Sequence, residues 1–100
     1  MILEVAIRDV IPGQEQAFEA AFIKASMIIS NMTGYVSHQL QHCLEKQNGY
    51  ILLVHWQTLE AHTVGFRGSE QYAEWKKPLH HFYAPFPIVE HYELTFKNPA

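Results

Sequence analysis

Apolar and polar positions divide the chain into strands and helices. In "MILEVAIRDV", Leu3, Val5 and Ile7 share one parity and Glu4 and Arg8 the other, the alternation of a strand. Pro12 in "IPGQ" breaks it and can open a helix, whose first turn has spare N–H groups. Phe18, Phe22, Ala25, Ile29 and Met32 then recur at spacings of four, three, four and three, one face of an α-helix that stops near Thr33 and Gly34. "YVSHQLQHCL" predicts a second strand and "YILLVHWQ" a third. Between them Asn48-Gly49 predicts a hairpin turn, because both residues tolerate positive φ. Thr58 can cap a short helix through "LEAHTVGFR", with Glu60 favourable to its dipole. Gly68 breaks that helix and Ser69 can cap the next, which carries the stripe Tyr72, Trp75, Leu79 and Phe82. The prolines of "YAPFP" stop it, and "IVEHYELTF" is the fourth strand.

The order βαββαβ, its second helix broken, predicts an α+β ferredoxin-like sandwich: an antiparallel four-stranded sheet with helices on one face. The third strand adds a second expectation. Tyr50, Leu52, Val54 and Trp56 make one of its faces apolar, and Ile51 and Leu53 do the same for the other. A sheet with one wet face alternates cleanly. A chain of 100 residues has no further helices to cover the second face. A second copy of the chain can, so a homodimer packed through the sheet face is expected.

Length and apolar content suit a single domain spanning residues 1–100. The net charge of -3 and the lack of any lysine or arginine run argue against nucleic acid or an anionic membrane as partner. Cys43 is the single cysteine, which excludes an intrachain disulfide and points to a cytoplasmic setting. The start carries Glu4 and no basic segment, so no signal peptide is expected, and no apolar run is long enough for a membrane span.

Three stretches, "IPGQEQAFEAAF", "GYVSHQLQ" and "YILLVHWQTLEAHTVGFRGSEQYAEW", resemble the antibiotic biosynthesis monooxygenase (ABM) domain, and the similarity runs over essentially the whole chain. Trp56, the Leu-Glu-Ala helix after it, Ser69 and Tyr72 carry most of the resemblance. It implies a dimeric α+β barrel whose subunits each hold a pocket between helices and sheet. Members of the family differ in activity: some oxidise polycyclic phenols or quinols with molecular oxygen, using neither metal nor flavin, others degrade haem, and many have no known activity. The chain departs from the haem-degrading branch. That branch has an asparagine, a tryptophan and a haem-ligating histidine where this chain has Ala6, Phe66 and Lys76, and a protonated lysine cannot ligate iron. It also has Gly65 and Glu70 where quinol-oxidising members often carry histidines.

The residue-level candidates cluster late in the chain. "LHHFYAPFPIVEHYE", residues 79–93, holds three of the seven histidines. His80 and His81 are adjacent, so on a helix they point about 100° apart. His38 and His42 lie roughly 13 Å apart on a strand, too far to chelate one ion. No metal site is expected. His62, on the inward stripe with Phe66 and beside Trp56, can act as a general base or be a buried histidine satisfied by a carbonyl. His80 is the second candidate base. Trp56, Phe66, Tyr72, Trp75 and Phe82 are the expected walls of a site for a small apolar or aromatic ligand. Arg67 can steady a phenolate or face solvent. His55 and His91 are expected toward the dimer's sheet interface, and Cys43 is read as structural. The expected activity is a cofactor-independent monooxygenase acting on an electron-rich quinol or phenol. The alternatives are a small-molecule-binding protein without turnover and a structural dimer with a filled core.

Overall fold

The computed structural model describes residues 1–83 and 87–99. Four strands, β1 (Ile2–Asp9), β2 (Tyr35–His42), β3 (Gly49–Trp56) and β4 (Ile88–Glu93), pair antiparallel in the order β2-β3-β1-β4. Helix α1 (Glu15–Ile29) connects β1 to β2. A π-helical segment (Ala61–Phe66), helix α2 (Glu70–Lys76) and a 3₁₀ turn (His80–Phe82) connect β3 to β4. This is the ferredoxin-like α+β sandwich expected from the sequence. No helix of the described residues is long and apolar enough to cross a membrane.

The core lies between one sheet face and the helices. Phe18, Phe22, Ala25 and Ile29 of α1 pack onto Tyr50, Leu52, Val54 and Trp56 of β3 and Ala6 of β1. Register decides what else enters this layer. Val54 stands between Glu4 and His38, and His91 stands opposite Glu4 on the other side. The polar parity of β1 therefore faces the helices: Glu4 and Arg8 are buried, while Leu3, Val5 and Ile7 look the other way. On that open face they meet Ile51, Leu53 and His55 of β3 and Ile88, Glu90 and Tyr92 of β4. Leu3, Val5, Ile51 and Leu53 are half-buried, and Ile7, Ile88 and Tyr92 are exposed.

Several local expectations change. Pro12 does not open α1. It sits in a turn with Gly13, whose φ is +91°, and the Gly13 N–H donates to the Glu15 carboxylate at the helix start. Helix α1 ends at Ile29, and a turn leads to Gly34 at φ +85°. Gly34 is required twice over, because a Cβ there would stand 2.6 Å from the Ala61 Cβ. Asn48-Gly49 is not a two-residue hairpin turn with positive φ. The connection is longer, Gly49 begins β3, and the Asn48 side chain donates to the Val10 carbonyl (2.8 Å), tying the loop to the end of β1. Thr58 does cap the following segment, accepting from the Ala61 N–H at 3.1 Å, but that segment winds as a π-helix. The Tyr72–Phe82 stripe is split: α2 stops at Lys76, and Leu79 and Phe82 reach the core from the 3₁₀ turn. The expected break at "YAPFP" falls mainly on residues 84–86, outside the described residues.

Candidate functional site

A cavity of about 340 Å³ opens between the inner sheet face and the segment from Ala61 to Tyr83. Glu4, Arg8, Leu52 and Val89 form its sheet wall, and His62, Phe66, Tyr72 and Trp75 its helical wall. Arg67, Lys76 and His80, all exposed, stand at the mouth.

Local structure explains the helical wall. The π-turn closes with an Arg67 N–H to His62 carbonyl bond of 3.0 Å, five residues back, and turns both His62 and Phe66 inward. Ser69 then caps α2, its Oγ accepting from the Tyr72 N–H at 3.2 Å, so Tyr72 and Trp75 fall on the cavity side. Phe66 meets Tyr72 edge-on at 5.3 Å and Trp75 at 6.1 Å.

The polar part of the wall is a chain of side chains. Trp56 Nε1–H donates to Glu4 Oε1 at 3.0 Å, and His62 Nε2 lies 3.3 Å from the same oxygen. The other ring nitrogen of His62, Nδ1, lies 2.8 Å from His91 Nε2. The His62 ring also stacks on Trp56, centroids 5.4 Å apart. Glu4 and His62 are both buried. Burial pushes the Glu4 pKa up, against the lowering effects of the Trp56 hydrogen bond, Arg8, His91 and Arg67. Burial, followed by Arg67 and His91, pushes His62 down to about 3. His62 is thus neutral near pH 7 and carries one ring proton between Glu4 and His91.

That depression sets a pH signature. A neutral His62 in the folded state faces an unfolded imidazole that protonates below about 6.5. Between that value and about 3, the unfolded chain binds the extra proton, so the stability supplied by neutral His62 falls as pH falls. The stability advantage of the native protein over His62→Phe is expected to shrink by up to about 1.4 kcal/mol per pH unit across this window. Urea titrations of both proteins at pH 7 and pH 5 measure it. An advantage that stays constant or grows on acidification would show that His62 is charged in the fold.

The sequence candidates fall in three places. His62, Phe66, Tyr72 and Trp75 line the cavity together, and His80 stands at its mouth, its Nδ1–H donating to the Lys76 carbonyl at 3.0 Å. Trp56 is fully buried behind His62 and supports the wall through Glu4 rather than forming it. Phe82 turns away, packing 5.9 Å from Phe18 in the core, because the 3₁₀ turn rotates it off the stripe of α2. His55 is on the open sheet face as expected, but His91 is not. Its register opposite Glu4 brings it to the helix side and into contact with His62. His38 and His42 serve local packing: His38 pairs with the Tyr35 hydroxyl, and His42 stacks on Tyr50 at 4.3 Å.

Sequence reasoning missed Glu4, Arg8 and Tyr83 at the site. A signal existed for the first two. They share a parity in a strand that pairs with β3, where both parities are apolar, so either face of β1 could be the inner one.

Comparison with known proteins places this architecture. The family model for antibiotic biosynthesis monooxygenases matches residues 1–78. Protein YczJ of Bacillus subtilis (strain 168), itself uncharacterised, is 54% identical over 93 residues, covering 93% of this chain and 98% of its own. A candidate antibiotic biosynthesis monooxygenase from Bordetella bronchiseptica superposes with a TM-score of 0.91 at 33% identity, over 95% of this chain and 97% of its own. SnoaB of Streptomyces nogalater, a cofactor-independent oxygenase solved as a point mutant, has the same fold. Its TM-score is 0.83 at 16% identity, over 99% of this chain and 97% of its own. On the family match and these identities, the chain belongs to the antibiotic biosynthesis monooxygenase family.

Proposed function

We propose that this protein is a cofactor-independent monooxygenase of electron-rich phenols or quinols, working as a homodimer joined through its open sheet face. One observation carries the reading: a buried carboxylate–imidazole pair, Glu4 and His62, on the wall of a cavity that Phe66, Tyr72 and Trp75 also line. The fold shared with SnoaB, a cofactor-independent oxygenase, supports it. The lone Cys43 suits a reducing, cytoplasmic setting.

Triplet oxygen does not react directly with a singlet phenol, but a phenolate can give it one electron. The protein's task is to take the phenolic proton in a water-poor pocket. A histidine with a pKa of about 3 is a weak base at neutral pH. Glu4, raised by burial and facing the same cavity, is closer to the working range. In this reading Glu4 accepts the proton, and Trp56 and His62 hold its carboxylate in place. His80 at the mouth is the remaining candidate for proton exchange with solvent.

The substrate supplies all the electrons. The phenolate passes one electron to oxygen, the substrate radical and superoxide join in a C–O bond, and the resulting peroxide anion takes up a proton to become a hydroperoxide. Loss of the hydrogen on that carbon with cleavage of the O–O bond gives a carbonyl and water. For a simple hydroquinone the sum is hydroquinone plus O₂ to hydroxyquinone plus H₂O, a four-electron oxidation with one oxygen atom retained.

Oxygen uptake and product mass across hydroquinones and hydroxylated naphthalenes test the proposal. Expected is one O₂ consumed per substrate and one atom of ¹⁸O retained in the product from labelled gas. Binding of these compounds without uptake would make the protein a carrier for the same ligands.

A further inference from the structure

Arg8 is the least explained side chain in the fold. It is 5% exposed, yet its Nε and Nη1 have no hydrogen-bond partner among the described residues. Buried guanidinium groups are ordinarily paired, because desolvating a cation costs several kcal/mol unless an anion offsets it. Arg8 belongs to none of the ion pairs of the described residues, which join His42 to Glu19, Lys46 to Asp9 and His62 to Glu4. Glu4, two positions along the same face of β1, attracts Arg8 and has its pKa lowered by it, but its hydrogen-bond contacts go to Trp56 and His62, and it leaves Nε and Nη1 of Arg8 without an acceptor. Tyr83 lies against Arg8, ring centroid 4.9 Å from the guanidinium carbon, but burial pushes its phenol pKa up, so it supplies a π-face and no charge.

The missing partner has a place to stand. Arg8 is part of the wall of the same cavity as Glu4 and His62, and the groups at the mouth, Arg67 and Lys76, are also cationic. A ligand entering there passes two exposed cations before it reaches a buried third. Arg8 presents planar N–H donors, the geometry that matches a carboxylate. From this we infer that the cavity takes an aromatic acid: an aryl body against Phe66, Tyr72 and Trp75, with a carboxylate that pairs with Arg8. The inference rests on the proposed function for the aryl half of the ligand and names its substrate class, a carboxylated phenol or quinol. It does not depend on turnover.

Binding is tested without oxygen, so that catalysis plays no part. 1-Hydroxy-2-naphthoate and 1-naphthol are matched probes that differ by the carboxylate. Calorimetry on the native protein is expected to give at least a tenfold tighter dissociation constant for the acid. One charge-assisted contact in a buried site is worth roughly 10- to 100-fold. Arg8→Met keeps the apolar stem and removes the charge, and should bring the two constants together by weakening the acid alone. Equal affinity for the two probes in the native protein overturns the inference. So does a preference for the acid that survives in Arg8→Met. Should Arg8→Met fail to fold, Arg8 is a structural residue and the inference falls with it. If the acid binds through Arg8 but no hydroxylated aromatic is oxidised, the enzymatic reading fails and this one stands.

Discussion

Glu4→Gln is expected to lower oxygen-dependent turnover by roughly 10²–10⁴-fold, the usual contribution of one positioned acid–base group. The substitution keeps size and shape, and the amide oxygen can still accept the Trp56 N–H that now reaches Glu4 Oε1 at 3.0 Å. Fold and ligand affinity should therefore survive while proton acceptance does not. His62→Gln is the informative companion. If His62 only orients the carboxylate, its loss costs roughly tenfold, about one hydrogen bond. The assignment is sunk if Glu4→Gln keeps near-native turnover, or if His62→Gln is the more damaging of the two. In that case the imidazole takes the proton, and the environment that depresses its pKa must relax when substrate enters.

Leu53→Glu should dissociate the protein. Leu53 is half-buried on the open sheet face, paired with Val5 on one side and Gln39 on the other, near the middle of the apolar patch that the proposed dimer covers. A two-fold interface meets every substitution twice. Two carboxylates without partners, forced into an apolar contact, are expected to raise the dissociation constant by at least about 100-fold, since each unpaired buried charge costs several kcal/mol. Sedimentation velocity at micromolar concentration distinguishes the outcomes, with circular dichroism to confirm that the strands persist. A native protein that sediments as a monomer, or a Leu53→Glu protein as dimeric as the native one, refutes the sheet-to-sheet arrangement.

The fold was legible because its signals are periodic. The stripe of α1, the caps at Thr58 and Ser69 and the doubly apolar β3 each leave a pattern in the chain. The helical wall of the site was legible for the same reason: His62, Phe66, Tyr72 and Trp75 are inward positions of helical segments. The sheet wall was not. Alternation in β1 separates Glu4 and Arg8 from Leu3, Val5 and Ile7, but it carries no sign. Which set faces the helices depends on pairing with β3 and β4, a long-range fact. His91 was misplaced by the same gap. The π-winding after Thr58 has no periodic signature over six residues, and the turn of Phe82 away from the cavity follows from a helix end that sequence locates only loosely.

The two-sided use of β1 has a consequence for how this chain can change. Its residues alternate between the two faces: Glu4 and Arg8, with Ala6 between them, turn toward the helices, and Leu3, Val5 and Ile7 toward the opposite surface. Deleting or inserting one residue in the strand would exchange the two sets from that point on. Glu4 or Arg8 would be delivered to the apolar surface and an aliphatic residue to the cavity, so one event would disable both. Point substitutions can tune either side separately, whereas length variation in β1 cannot be neutral for one side alone. Length changes in this lineage should therefore collect in the loops, and the spacing from Glu4 to Arg8 should be held more tightly than either residue's identity.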